Sequence, residues 1–215
     1  MPRSRLIAIV VAVLVVAVLA SGAVWFQVAR NEAGVPGADN AQVMPGSESI
    51  GGAYTLVDQT GGTVTQDAWP QRWKLVYFGY TFCPDVCPTE LASMAAAVDL
   101  LGEAADRVKP VFISVDPERD TVDRLAEYVP AFHPDMVGLT GSEAQVKAAA
   151  QAFKVYYRKV DPADDASPDY YLMDHSSFVY LISPDGRTVN IFRPNTAPET
   201  MAEVMRARID AAPTS

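Results

Sequence analysis

From Trp73 to Phe82 the chain reads WKLVYFGYTF, and Cys83 follows directly. A near-continuous apolar and aromatic run of this kind marks a strand buried on both faces. The segments after it alternate in type. Pro88 to Leu101 has helical apolar spacing, with Pro88 suited to a first turn and Glu90 to the positive end of a helix dipole. Lys109 to Pro117 reads as a second buried strand, and Asp120 to Phe132 as a helix capped by Asp120. Met136 to Gly141 is a short strand, and Ser142 to Phe153 a helix capped by Ser142. Lys154 to Val160 extends from that helix as a further strand, and Asp161 to Asp174 is a mobile acidic loop. Ser176 to Pro194 is a hairpin turning at Pro184-Asp185-Gly186, and Pro198 to Ala212 is a closing amphipathic helix. Ahead of all these, Ala53 to Gln66 forms two short strands around Gly61-Gly62. The order predicts a mixed sheet with helices on both faces.

The N-terminus carries a different signal. No charge occurs from Leu6 to Val28, a stretch of ~35 Å as a helix, against a hydrocarbon core of ~30 Å. Arg3 and Arg5 precede it, so the positive-inside rule leaves the N-terminus in the cytoplasm and exports the rest. A cleaved signal peptide ending near Val18-Leu19-Ala20 is the competing reading, and export follows from either. Asn31 to Gly52 is rich in Gly, Pro, Ala and small polar residues and reads as a linker. The expected division is therefore an anchor over residues 1–30, a linker over 31–52 and a domain over 53–215. A net charge of −9 argues against nucleic acid as a partner.

The strand–helix order resembles the thioredoxin architecture, and the cysteines fall where that fold keeps its reactive pair. Cys83 and Cys87 are the only cysteines, three residues apart, at the end of a strand and the start of a helix. Free N–H groups and the dipole at a helix N-terminus stabilise thiolate, which is both nucleophile and metal ligand. Two histidines are present. His133 lies at an expected helix end, where terminal carbonyls are its natural partners. His175 precedes the last hairpin and is the better candidate ligand. Two soft sulfurs and one imidazole suit copper: thiolates favour Cu(I), and imidazole accepts both oxidation states. Structural zinc wants a fourth ligand, which Asp174 or another carboxylate would have to supply.

Three segments together resemble the Sco/SenC family of copper-binding proteins: YFGYTFCPDVCPTEL, VFISVDPERDT and DHSSFVYLISPDGR. They occur in the family's order, and the resemblance spans roughly Tyr54 to Ala211. It implies a thioredoxin-like fold binding one copper through Cys83, Cys87 and His175, with Asp174 orienting His175 from behind. Asp85 is expected to face solvent or cap the following helix. Asp116 and Arg119 are expected to be structural, Arg119 pairing with a nearby carboxylate. The family's role is assembly of the dinuclear copper (CuA) centre of cytochrome c oxidase. The implied partners are the copper-centre subunit of the oxidase and another periplasmic copper chaperone or thioredoxin-like reductant. The implied location is the bacterial cytoplasmic membrane, single-pass, with the domain on the periplasmic side.

Two mechanisms remain open at this level. The chain is a copper carrier rather than an enzyme, or it is a thiol–disulfide oxidoreductase that reduces the acceptor's cysteines through Cys83 and Cys87. A redox-dependent copper sensor is a third possibility. A peroxiredoxin-like peroxidase is disfavoured, because no separate resolving cysteine exists.

Overall fold

The computed structural model describes residues 49–160 and 171–212. The expected anchor, the linker as far as residue 48, and most of the expected acidic loop lie outside the described residues. Among the described residues, no helix is long and apolar enough to cross a membrane. The elements are β1 (Thr55–Asp58), β2 (Thr63–Thr65), β3 (Trp73–Gly79), α1 (Val86–Asp99), β4 (Val108–Ser114), α2 (Val122–Tyr128), β5 (Val137–Thr140), α3 (Glu143–Ala152), β6 (Tyr157–Val160), β7 (Leu172–His175), β8 (Val179–Ile182), β9 (Thr188–Phe192) and α4 (Pro198–Ala211).

Seven strands form one mixed sheet in the order β2-β1-β5-β4-β3-β8-β9. The apolar run is its centre: β3 is buried at every position, between parallel β4 and antiparallel β8. β5 pairs parallel with β4, the pairing that a strand–helix–strand crossover produces. The terminal hairpins supply the antiparallel edges. α1 packs against α4 and against the central strands. The core residues Tyr77, Phe78, Phe112, Ile113, Leu91 and Met94 are all fully buried. Burying one such side chain stabilises by roughly 1.5–3 kcal/mol, which is what holds α1, and with it the cysteine loop, against the sheet.

The hairpins and the Ser142 cap follow the sequence reading. Ser142 and Gln145 form a complete capping box. Asp58 holds the first turn by accepting from the amides of Thr60 and Gly62. Three details differ. α1 begins at Val86 rather than Pro88, so Cys87 lies inside the first turn. α2 is capped by Thr121, whose hydroxyl accepts from the Arg124 amide. Asp120, expected there, is fully buried and points elsewhere. Finally, the last three residues of the expected acidic loop are strand: Leu172–His175 pairs antiparallel with β6 in a two-stranded ribbon separate from the main sheet.

Candidate metal centre

β3 ends at Gly79, and the chain turns through Thr81 before reaching Cys83. Asp120 fixes this turn. Its carboxylate accepts from the Thr81 amide at 3.0 Å, the Thr81 hydroxyl at 2.7 Å and the Ser114 hydroxyl at 2.6 Å. The end of β4 is thereby stitched to the start of the cysteine loop. Burial raises the Asp120 carboxyl above the usual carboxylate range despite these donors.

The cysteines occupy different environments. Both are free thiols, and Cys87 is fully buried while Cys83 is 9% exposed. The Cys87 amide, one of the unpaired donors of the first helical turn, points at the Cys83 sulfur at 3.5 Å. The Asp85 amide does the same. Asp85 itself stands at the N-cap position, but its exposed side chain makes no cap bond. Asp85 thus faces solvent, the first of its two expected roles, and the sulfur of Cys83 takes the capping role instead.

These donors decide the charge. Cys83 is lowered to about 3, first by the hydrogen bond from the Cys87 thiol and further by the two amides, against the opposing effect of burial. Cys87 is pushed up, by donating to Cys83 and by burial. The sulfurs titrate as a pair that keeps one proton through the physiological range. Tyr77, whose own hydroxyl is raised by burial, donates to the Cys87 sulfur at 3.7 Å.

His175 closes the cluster from β7. Its Nε2 lies 3.3 Å from the Cys87 sulfur, and its Nδ1 lies 3.1 Å from the Ser176 carbonyl. A carbonyl only accepts, so Nδ1 carries the ring proton and Nε2 presents a lone pair toward the sulfurs. The rings of Tyr77 and Tyr80 meet the imidazole edge-on, at 6.1 and 5.9 Å. Asp174 does not take part in this. Its neighbour on the strand faces the other way, and its half-exposed carboxylate pairs with Arg158 at 2.9 Å. The Ser176 carbonyl holds the position behind the ring that Asp174 was expected to fill.

The sequence-predicted residues Cys83, Cys87 and His175 therefore come together, and His133 does not. His133 sits at the far end of α1, with Nε2 3.4 Å from Asp99 and Nδ1 accepting from the Asp135 amide. Its partners are a carboxylate and an amide rather than helix-end carbonyls. Among the described residues, no three His, Cys, Asp or Glu side chains are spread as a ready cage around an ion. Sulfur and imidazole are instead in direct contact, so an ion has to part them to enter.

Sequence reasoning missed Gly79, Tyr77, Tyr80 and Asp120. Gly79 had a usable signal, since glycine inside a buried strand marks a close approach. A Cβ there would lie 2.8 Å from the Cys87 sulfur and 2.9 Å from the Tyr77 ring. Gly79→Ala is expected to cost about 1–3 kcal/mol of stability by overpacking and to displace Cys87. Urea unfolding and thiol alkylation of the variant check both; wild-type stability with an unchanged Cys87 reaction rate would contradict the packing.

The SCO1/SenC family model matches residues 42–210. Protein SenC of Rhodobacter capsulatus is 43% identical over 165 residues, covering 77% of this chain and 73% of its own. The crystal structure of Arabidopsis thaliana ScoI with copper bound is similar at 41% identity and a TM-score of 0.70, covering 76% of this chain and 99% of that one. BsSco, described as a member of the Sco family of cytochrome c oxidase assembly proteins, shares the fold at 22% identity and a TM-score of 0.57, over 75% of this chain and 95% of its own.

Proposed function

The chain belongs to the SCO1/SenC family, and on that premise we propose that it is a membrane-anchored copper carrier. It takes one copper ion through Cys83, Cys87 and His175 and passes it to the copper-centre subunit of cytochrome c oxidase, assisting assembly of the CuA centre. The observation that carries the reading is the bare Nε2 of His175, held toward the Cys87 sulfur by the bond from Nδ1 to the Ser176 carbonyl. Copper-bound ScoI supports the choice of metal. Thiolates favour Cu(I), and the imidazole lets the same site hold Cu(II). The buried position of Cys87 means that release requires an acceptor to supply thiolates or imidazoles at close range. The apolar run Leu6–Val28 supports tethering at the bacterial cytoplasmic membrane, with the domain on the periplasmic side.

The shared proton supplies the test. Cys83 is already a thiolate at neutral pH and Cys87 is not, so Cu(I) uptake is expected to release about one proton. Affinity then rises about tenfold per pH unit between about pH 7 and pH 8, and falls correspondingly as the solution is acidified. Unbuffered anaerobic titration with a pH electrode counts the protons. Release of two protons contradicts the shared proton, and no release contradicts Cys87 as a ligand.

One observation favours a second reading. The unequal thiols suit thiol–disulfide exchange, with Cys83 attacking a disulfide of the acceptor and Cys87 resolving the mixed disulfide. A Cys87→Ser variant that traps the acceptor through Cys83, together with full activity of His175→Ala in cells, would establish the reductase instead.

A further inference from the structure

The ribbon of β6 and β7 shares no strand pairing with the main sheet. What holds it, and so places His175, must come from side chains and loops. One buried tie is at Tyr171, just before β7, which is 4% exposed. The Tyr171 hydroxyl donates to Asp116 at 2.8 Å, and Asp116 is itself 2% exposed. Arg119 completes the knot. Its Nε donates to Asp116 at 2.6 Å and its Nη1 to the Tyr171 carbonyl at 2.9 Å. Its guanidinium carbon lies 3.5 Å from the centre of the Tyr171 ring.

The same guanidinium reaches the other half of the site. It lies 4.6 Å from the centre of the Phe82 ring and 5.7 Å from that of Tyr80. Phe82 immediately precedes Cys83, and the Tyr80 ring abuts His175. One side chain therefore touches the start of the histidine strand, the residue before the first cysteine and the ring packed on the imidazole. A planar guanidinium does this with two directed bonds and a π-face, which an ammonium lacks.

We propose that Arg119 is the positioning residue that holds the His175 strand against the cysteine loop, so that the three donors close on copper together. This rests on the copper reading above and assigns Arg119 no contact with the metal. Removing it frees His175 relative to the sulfurs while leaving the main sheet, whose ladders it does not join, in place.

The test uses the full-length chain in detergent. Arg119→Ala is expected to lower Cu(I) affinity by about 10–100-fold, the range for residues that orient a metal ligand. In a His175→Ala background the same substitution is expected to change affinity less than about twofold, because the ligand it positions is already gone. Hydrogen exchange of the copper-free protein should rise across residues 157–160 and 172–175 and stay unchanged in β3 and β4. Arg119→Lys keeps the charge and is expected to lose at least about tenfold, since it loses the fork; it also serves if the alanine variant does not fold. Unchanged affinity in either variant, or an equal loss with and without His175, overturns the proposal. If His175→Ala itself leaves affinity intact, the copper reading fails, and this inference fails with it. If His175→Ala weakens binding and Arg119 substitutions do not, this inference alone fails.

Discussion

Cys83→Ser and Cys87→Ser are each expected to weaken Cu(I) binding by on the order of a hundredfold or more. The magnitude follows from structural zinc sites, where ~10–16 kcal/mol of binding is shared among four ligands, or roughly 3 kcal/mol each. A hydroxyl is a hard, neutral donor at pH 7 and does not replace a thiolate for a soft ion. The single-cysteine variants should differ in their free state. Cys87→Ala, which unlike serine leaves no donor, removes the largest cause of the low Cys83 pKa, so the Cys83 thiol should move up toward the ordinary range. Cys83→Ser removes the largest cause of the raised Cys87, so that thiol should come down, though burial still opposes it. Alkylation rates against pH for each single-cysteine variant read this out. Identical pH profiles in both variants would show that the sulfurs are not coupled.

Asp120→Ala is expected to cost about 2–4 kcal/mol of stability. Its carboxylate serves an amide and two hydroxyls in a fully buried position, and truncation leaves those donors without a partner. The midpoint of urea unfolding should fall with little change in slope. The pH dependence has a definite sign. Burial raises the folded-state pKa of Asp120, so its contribution is fully present below the unfolded value of ~3.9 and is lost as pH rises through the folded value. Asp120→Asn should remove that dependence while keeping part of the stability. An alanine variant within about 0.5 kcal/mol of wild type would contradict the role given to this carboxylate.

The fold was legible where the determinants are local. The run Trp73–Phe82 announces a buried strand by composition alone, and Ser142 with Gln145 announces a helix start by chemistry that spans one turn. Asp120 was misread because its cap-like position is local while its partners, Thr81 and Ser114, lie in other segments. Of the two roles open to Asp85, the structure shows the solvent-facing one, because a sulfur two residues earlier takes the amides.

The candidate site was legible in its donors and not in their support. Few cysteines and histidines are available, so the set Cys83, Cys87 and His175 is short enough to name from sequence. Asp174 looked like the orienting group because carboxylates commonly stand behind imidazoles. Strand alternation turns it toward Arg158, and the backbone of Ser176 takes its place. A carbonyl belongs to every residue, so no residue type could have signalled it. Tyr77 and Tyr80 were hidden for a different reason: inside an apolar run, a tyrosine that packs on a ligand looks like any other core aromatic.

The most direct test of the account is an anaerobic Cu(I) competition titration of the full-length chain, wild type beside His175→Ala. One tightly bound copper per chain, with affinity reduced about a hundredfold in the variant, is the expected result. Equal affinity in the two proteins, or no tight binding by the reduced wild type, would contradict it.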